Sequence, residues 1–289
     1  MSFVSVQSIV ADGRGTLWVL DTGAPNFSEP IQGGAKLVAV DLSTNTVRGI
    51  YTFTEDVVLP TTYLNDVRLD FRVGRAGYAY ITDSSSRGPG AIIVVDLDNG
   101  SAFRRLNGAV STSPDPYFLP KVEGEILKNR NPDGSTFPFR LASDSLAISP
   151  DGKVLFYAPL TSRQLFSIST AVLRDRNIQD INLSKYVRYL GEKGASDGMI
   201  TGENGTIYTG DYENNSIRKI LPNGEMETIA HDPRILWPDT FSIGPDQYLY
   251  VIVNQLHRQA RFHYGSDLRI KPYSLLRIKI DEFPAPTFS

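Results

Sequence analysis

Short runs in which apolar and polar residues alternate occur along the whole chain, and each run follows a turn rich in Asp and Gly. The clearest runs are TLWVLD at 16–21, YAYITD at 78–83, KVLFYAP at 153–159, TIYTGD at 206–211 and YLYVIVN at 248–254. Alternation with a period of two predicts half-buried β-strands. The turns between the runs predict tight hairpins, because glycine adopts a positive φ at little cost. The pattern therefore predicts an all-β protein.

Each of these runs is the second strand of a unit that occurs five times. Most units contain four such strands, whereas the fifth has three clear ones (TFSIG, YLYVIV and LLRIKI) before the sequence FPAPTFS. A four-stranded antiparallel unit that repeats in this way is typical of a β-propeller. We therefore expect residues 1–289 to form a single β-propeller domain with about five blades.

Two segments interrupt the repeat. Residues 107–140 form a long insertion rich in Pro and Gly, and a loop of that length in a compact domain is usually functional or mobile. Residues 169–190 include AVLRDR after a possible helix N-cap, and we expect a short helical insertion there. We expect both insertions to lie across one face of the propeller.

Composition narrows the range of partners. The formal net charge is −3, so electrostatics gives no reason to expect nucleic acid as a partner. The chain has no cysteine, which excludes disulfides and thiolate chemistry. No apolar run is long enough to span a membrane. The first residues, MSFVSVQSIV, do not resemble a signal peptide, and the sequence does not predict a compartment.

Four of the predicted inner strands begin with an Asp that follows Asn, Ser or Pro. These residues are Asp66, Asp144, Asp197 and Asp239. Inner strands line the channel of a propeller, so we expect the four carboxyl groups to meet at one of its mouths. One interpretation is structural, with each Asp accepting backbone N–H groups of the neighbouring blade. The other is a polar or metal-binding cluster, because crowded carboxylates favour a cation.

Several longer motifs resemble the yellow and major royal jelly protein family. They are LWVLDTG at 17–23, YLNDVRLD at 63–70, YAYITDSS at 78–85 and WPDTFSIGPDQYLYVIVNQLHR at 237–258. The resemblance covers nearly the whole chain and extends to bacterial and fungal members named dopachrome tautomerase-related. It implies a six-bladed propeller, often secreted, that binds biogenic amines or other small ligands or acts on dopachrome. Family members carry a further stretch before LWVLDTG, so we expect one blade of the ring to be missing here.

A weaker resemblance links the chain to gluconolactonase and regucalcin-like propellers, through SDSLAISPDGKVLFYAPL at 143–160. In those proteins a Glu, two Asn and an Asp hold a divalent cation such as calcium. The resemblance implies a metal set of Asn65, Asp144 and Asp197, in which Asp144 replaces one Asn and the Glu has no counterpart. Oxygen ligands of this kind suit such a cation.

Resemblance to the amine-binding relatives also suggests the ligand site. It implies Thr240 and Asn254 as ligand-binding residues, with Leu256 where those relatives have an aromatic. We expect Asp66 and Asp239 to contact the ligand as well, and Asp66, Asp144 and Asp197 could pair with a cationic ligand or a metal. No catalytic residue is predicted, and His257 and His263 are expected to be solvated loop residues.

The function predicted is a small-molecule-binding propeller that takes aromatic amines or dopachrome-like compounds. The alternatives are a metal-dependent lactonase or esterase and a non-catalytic interaction platform that uses residues 107–140. Propellers host all three functions, so the fold does not choose between them.

Overall fold

The computed structural model describes residues 2–288, which form five antiparallel sheets arranged as the blades of a propeller. Blade I consists of β1 (Val6–Ala11), β2 (Thr16–Asp21), β3 (Lys36–Asp41) and β4 (Thr46–Thr52). Blade II consists of β5 (Leu64–Asp70), β6 (Tyr78–Asp83), β7 (Ala91–Asp96) and β8 (Ala102–Arg105). A 3₁₀ helix, Pro25–Phe27, lies between β2 and β3.

The insertion at 107–140 contains secondary structure of its own. A 3₁₀ helix, Val110–Thr112, is followed by two small hairpins. The hairpin strands are β9 (Lys121–Val122), β10 (Glu125–Ile126), β11 (Lys128–Arg130) and β12 (Thr136–Pro138).

Blade III comprises β13 (Ser143–Ile148), β14 (Val154–Pro159), β15 (Gln164–Ser169) and β16 (Arg188–Glu192). The segment between β15 and β16 holds the helix α1 (Thr170–Arg174) and a 3₁₀ helix, Asp180–Tyr186. Residues 169–190 are therefore only partly helical, because β16 already begins at Arg188.

Blade IV comprises β17 (Met199–Thr201), β18 (Ile207–Asp211), β19 (Ser216–Ile220) and β20 (Met226–His231). Blade V has three strands, β21 (Pro238–Ile243), β22 (Tyr248–Val253) and β23 (Ser274–Lys279). Two 3₁₀ helices, Leu256–Arg258 and Ala260–Phe262, lie between β22 and β23. Within residues 2–288, no helix is long and apolar enough to cross a membrane.

The prediction of an all-β propeller with about five blades is confirmed. The inner strands β1, β5, β13, β17 and β21 contact one another in that order, so the blades follow each other around a channel. Apolar side chains pack between adjacent blades. Trp18 and Leu20 of blade I lie in one cluster with Leu69 and Ile81 of blade II. Burial of these faces is the main stabilising contribution that holds neighbouring blades together.

The first and the last blade each have a sheet face that is less well covered. Ile9 of blade I is 60% exposed, and Leu275 of blade V is 64% exposed. Each pairs across its sheet with another apolar residue, Ile9 with Val19 and Leu275 with Ile252. Blade I and blade V thus retain partly exposed apolar faces that residues 2–288 do not cover with a further blade.

The C-terminal residues cross the end of the channel at which β1, β5 and β17 finish. Pro284 forms a bridge with Gly202 after β17. Further along, the carbonyl of Thr287 accepts the N–H of Phe71, and its hydroxyl donates to the carbonyl of Asp12. The tail therefore ties blade IV to blades I and II at the mouth opposite the Asp residues described next.

Candidate functional site

The Asp residues of the inner strands lie at the mouth where those strands begin. Asp66, Asp144 and Asp239 are each near the first residue of β5, β13 and β21, and Asp197 precedes β17 by two residues. We call these four residues the acidic mouth. Asp144 and Asp197 are buried, whereas Asp66 and Asp239 are half-buried.

A break in strand pairing places these side chains. The register of β5 shifts between Leu64 and Val67, and that of β13 shifts between Ser143 and Ser145. The register of β21 shifts in the same way around Asp239. A bulge at such a point turns the extra side chain away from the regular pleat. The same irregularity occurs in β1 between Val6 and Ser8, so four inner strands have it, and in β5, β13 and β21 it brings one Asp to the channel.

Neighbouring blades supply the hydrogen bonds to these carboxylates. Asp144 of blade III accepts the Oγ of Ser84 at 2.9 Å and the side-chain amide of Asn65, both from blade II. Asp66 of blade II accepts the Oγ of Ser8 of blade I at 3.0 Å. Asp197 of blade IV accepts the indole N–H of Trp237 that precedes blade V. Each of these three Asp residues therefore links two adjacent parts of the ring.

Of the two interpretations of the four Asp residues, the one in which backbone N–H groups of the next blade hold them does not agree with the structure. Among residues 2–288, the one backbone donor to these carboxylates is Val67, in the same strand as Asp66. The other donors are side chains, because the bulged backbone already pairs with its own sheet. Thr82, for example, receives the N–H of Asp66 and donates to the carbonyl of Asp144.

Arg68 neutralises one of the carboxylates and spans the channel. Its Nη1 lies 2.8 Å from Asp66, and its Nη2 donates to the carbonyl of Met199 on blade IV at 2.6 Å. The bulge at Asp66 leaves its carboxylate in direct contact with the guanidinium of Arg68. The Arg68 side chain thus lies across the channel, between Asp66 of blade II and Met199 of blade IV.

No cation of the described residues is in direct contact with the other three carboxyl groups, although the buried Lys193 and Arg261 are near enough to interact with Asp197. Within residues 2–288, Asp144, Asp197 and Asp239 form no salt bridge. Burial, with smaller contributions from nearby Asp239 and Asp66, raises the pKa of Asp144 to about 7. Burial and the adjacent Asp144 raise the pKa of Asp197 well above its ordinary range, and burial and Asp197 do the same for Asp239. The mouth therefore favours either bound protons or a positively charged guest.

A tight backbone contact fixes the relation between blades IV and V. A Cβ on Gly198 would lie 1.9 Å from the carbonyl oxygen of Asp239, so no other residue fits there without displacing the strand. The Asp-Gly pair at 197–198 is explained by this contact, with Asp197 facing the channel and Gly198 admitting the next blade.

The residues implied as ligand contacts on blade V lie beside Asp239. Asn254 donates its side-chain amide to Asp239, and the hydroxyl of Thr240 lies 3.3 Å from the same carboxyl group. Thr240 is exposed and Asn254 is half-buried. Leu256 packs instead against the buried cluster that includes Trp237 and Phe262, and its N–H donates to Asn254. Asp239, Thr240 and Asn254 thus form one polar group at the mouth, with Leu256 behind it.

Aromatic residues near the mouth were not singled out by sequence reasoning. Phe27 stacks on Tyr63 with ring centroids 3.9 Å apart, and the Tyr63 hydroxyl donates to Gln7 at 2.7 Å. The guanidinium of Arg261 lies over the Phe27 ring at 5.1 Å. Phe27, Tyr63 and Arg261 are far apart in sequence, and only the position of Tyr63, two residues before Asn65, pointed toward the channel.

The expectation that His257 is a solvated loop residue is wrong. Its side chain is only 5% exposed, and its Nε2 lies 2.6 Å from Glu123 in the insertion. Arg258 forms two hydrogen bonds with the same carboxylate. Burial lowers the pKa of His257, and the Glu123 carboxylate opposes that shift. We call this contact the Glu123 latch; it closes one side of a cavity of about 290 Å³ lined in part by His263 and Leu268.

The residues implied as metal ligands also lie close together, but their donor atoms do not form a cation site. Asn65 turns its amide nitrogen to Asp144, and its oxygen accepts a hydrogen bond from Gln7. In the described part of the chain, no group of three or more His, Asp or Glu side chains is arranged to hold a metal ion. Since calcium takes six to eight oxygen ligands, the present arrangement of Asn65, Asp144 and Asp197 does not fit it.

These features define the class of protein: a β-propeller whose channel has an acidic mouth, with an inserted loop held against the blade V loops. The family described as Major royal jelly protein matches residues 4–282, and the chain belongs to that family. The resemblance to yellow and royal jelly proteins is thereby confirmed.

The relatives of this chain are distant and longer. Major royal jelly protein 7 of Apis mellifera is 23% identical over 284 residues, which cover 88% of this chain and 60% of the relative. Protein yellow of Drosophila erecta is 26% identical over 204 residues, covering 67% of this chain and 35% of the relative. The chain thus spans between about a third and three fifths of the length of these two relatives.

Solved propellers share the architecture. A protein described as the calcium-binding regucalcin of Agrobacterium tumefaciens aligns over 98% of this chain and 94% of its own, with 14% identity and a TM-score of 0.50. A gluconolactonase of Xanthomonas campestris aligns over 85% of this chain and 68% of its own, with 12% identity and a TM-score of 0.52. At such identities the likeness shows the fold alone.

Proposed function

We propose that this protein binds a small aromatic amine at the acidic mouth. The observation that carries the proposal is that the buried Asp144 and Asp197 and the half-buried Asp239 lie together without a salt bridge in residues 2–288. A guest with a positive charge would relieve their repulsion, and burial strengthens that attraction.

Polar and aromatic groups for the rest of such a ligand are present at the same place. Asn254 and Thr240 offer donors and acceptors beside Asp239. The half-buried Phe27, stacked on the buried Tyr63, supplies an aromatic surface, and a ring packed against it would gain both burial and favourable ring–ring geometry. In the amine-binding relatives, the family resemblance implies an aromatic residue at the position of Leu256 that packs on the ligand. In this chain we assign that role to Phe27 and Tyr63.

Binding can be tested by calorimetric titration with tyramine and dopamine. We expect Asp239→Asn to weaken both ligands by about tenfold, because the variant removes a charge from the mouth. Asp281→Asn is the matched control, since Asp281 is 79% exposed and belongs to no part of the mouth. Absence of amine binding by the wild-type protein, or equal loss in both variants, would refute the proposal.

If the bound compound is a dopachrome-like quinone, the carboxyl groups of the acidic mouth are suited to transfer a proton to or from it. Tautomerisation moves one proton from carbon to oxygen and needs an acid–base group that changes state near neutral pH. With a pKa of about 7, Asp144 has that property. Absorbance assays with dopachrome, comparing the wild type with Asp144→Asn, test this step; equal rates would exclude Asp144 from it.

The metal-dependent lactonase is the alternative hypothesis. Because Asn65, Asp144 and Asp197 do not fit a cation in their present arrangement, it requires these side chains to turn toward the ion. It predicts a stoichiometric divalent ion in the purified protein and a melting temperature that falls with chelator. The hypothesis would be refuted if the purified protein contained no divalent ion and its melting temperature did not change with chelator. The interaction platform would be favoured if neither amines nor cations bind and removal of residues 119–127 abolishes capture of a defined partner protein.

A further inference from the structure

Arg261 occupies an unusual position above the acidic mouth. It lies in the 3₁₀ helix Ala260–Phe262, and three aromatic rings surround its guanidinium. The ring centroids of Phe27, Phe139 and Phe262 lie 5.1, 5.1 and 4.7 Å from its Cζ. Such rings attract a cation through their faces but accept no strong hydrogen bond.

The hydrogen-bonding groups of Arg261 are left without acceptors. Its Nε and Nη2 are buried, and neither has a partner among residues 2–288. A buried guanidinium donor that makes no hydrogen bond is costly, and native proteins usually supply an acceptor. Burial accordingly lowers the pKa of Arg261 to about 10, while Tyr63 and Asp197 oppose that shift.

Neighbouring arginines show what a structural role looks like in the same part of the fold. Arg140 donates to the carbonyl groups of Asp115 and Pro116, and Arg130 donates to the carbonyl of Phe262. Arg104 pairs with Asp83 at 2.8 Å. These arginines have acceptors within the chain. Arg261 differs because its planar fork is held by rings alone.

The Phe27–Tyr63 pair connects Arg261 to the mouth. Phe27 contacts both Tyr63 and the Arg261 guanidinium, and Tyr63 directly precedes Leu64, where β5 begins. Burial and the nearby Asp144 and Asp239 raise the pKa of Tyr63, and the charge of Arg261 opposes that shift. A guest packed on this pair would therefore lie near both carboxylates and a guanidinium.

We propose that Arg261 is a specificity-determining residue that binds an anionic group of the ligand, so that the preferred ligand is an aromatic amine that also carries a carboxylate. This inference rests on the proposed function and refines it. The fork of Arg261 offers two parallel N–H donors, which match the two oxygens of a carboxylate. The ammonium group would face Asp239, the carboxylate would face Arg261, and the ring would pack on Phe27 and Tyr63.

The test compares two ligands that differ by one carboxylate, dopamine and L-3,4-dihydroxyphenylalanine. Calorimetry on the wild-type protein should show tighter binding of the amino acid. In Arg261→Gln we expect a loss of about 10- to 100-fold for the amino acid and less than threefold for dopamine. Arg75→Gln is the control, because Arg75 is 88% exposed and lies in the turn before β6.

A second variant keeps the test decisive if Arg261→Gln does not fold. Arg261→Lys retains the charge but not the fork, so the amino acid should bind with intermediate affinity. Equal affinities of the wild type for both ligands, or equal losses for both in Arg261→Gln and Arg261→Lys, would overturn the inference and leave amine binding standing. Binding of the amino acid alone, lost in Arg261→Gln, would support Arg261 and overturn the amine proposal. Binding of neither ligand would overturn both.

Discussion

The indole N–H of Trp237 donates to Oδ2 of Asp197 at 2.5 Å, and this bond joins the acidic mouth to the structure around it. Trp237 is fully buried, with the Tyr212 ring stacked 4.0 Å away at an angle of 5°. The His257 ring lies 6.0 Å from it. Trp237 thus lies between a carboxyl group of the channel and the Glu123 latch, and it serves both as packing and as a polar partner.

Trp237→Phe should destabilise the protein by roughly 1–3 kcal/mol, because a buried acceptor loses its donor and the core loses volume. Among residues 2–288, Trp237 is the one hydrogen-bond donor recorded to the Asp197 carboxyl group. Urea unfolding followed by circular dichroism measures the difference in the free energy of unfolding.

Trp18→Phe is the matched comparison for this variant. Trp18 also donates to a carboxylate, Asp12, but that carboxylate keeps the backbone N–H groups of Arg14 and Thr16. We expect a smaller loss for Trp18→Phe and no change in amine binding. Trp18→Phe also leaves Trp237 as the sole tryptophan, whose fluorescence then reports on the mouth. If both variants lost the same free energy of unfolding, the hydrogen bond from Trp237 to Asp197 would contribute no more to stability than the bond from Trp18 to Asp12.

The raised pKa of Asp144 predicts how stability varies with pH. Between its ordinary 3.8 and about 7, the folded state holds a proton on Asp144 that the unfolded state has released. Stability linked to this group is therefore full below pH 4 and falls as pH rises to about 7, beyond which it is constant. Asp197 and Asp239, whose pKa values are also raised, act in the same direction.

Thermal melts of the wild type and Asp144→Asn at half-unit intervals from pH 4.5 to 7.5 measure this slope. The wild type should lose stability as pH rises, and the variant should lose less over the same interval. A saturating amine should raise the melting temperature more at pH 7.5 than at pH 5, because it replaces the protons. A wild-type profile that rises across this range would contradict the assignment.

The fold could be predicted from sequence because its signals are local. Each blade carries its own turn and its own alternating strands, so the pattern in 16–21 or 206–211 suffices without knowledge of the rest. The Asp residues could be placed at the starts of inner strands for the same reason. The bulges that aim Asp66, Asp144 and Asp239 could not be predicted, since a register shift depends on the paired strand.

The surroundings of the mouth were beyond sequence reasoning because they come from long-range contacts. His257 is separated from Glu123 by 134 residues, and nothing in QLHRQARFHY indicates a buried partner in the insertion. Arg261 is one of many arginines, and its lack of acceptors is visible only when the loops are folded together. Polar residues buried by distant loops are the part of a site that periodicity does not report.

Lys193 should produce a second, opposite slope at higher pH. Its side chain is buried beside the Gly194 carbonyl and the Ser196 hydroxyl, and burial lowers its pKa from 10.5 to about 7. Between those values the unfolded state binds a proton that the folded state does not, so stability rises with pH from about 7 to 10. Lys193→Met should flatten this rise, whereas Lys153→Met, at an 80% exposed lysine, should preserve it. Chemical denaturation at pH 7, 8 and 9 tests both, and a rise of equal size in Lys193→Met would exclude Lys193 as its source.

The Glu123 latch should control how firmly the insertion is held over the blade V loops. Glu123→Gln weakens the contacts to His257 and Arg258, because the amide lacks the charge that both partners meet in the carboxylate. We expect hydrogen exchange and proteolysis within 119–130 to become several-fold faster, with little change in the blades.

Glu125→Gln is the matched control for the latch. Glu125 lies on the same hairpin, but its side chain is 77% exposed, and its carboxylate makes one loose ion pair, at 3.7 Å, with the guanidinium of Arg130. A charge lost there should leave exchange unchanged, as exposed ion pairs contribute little. If the insertion covers the mouth during binding, Glu123→Gln should also speed amine dissociation in stopped-flow fluorescence, while Glu125→Gln should not. Equal exchange in the two variants would show that the insertion is held by its apolar contacts, such as Phe139 against Phe262, rather than by the latch.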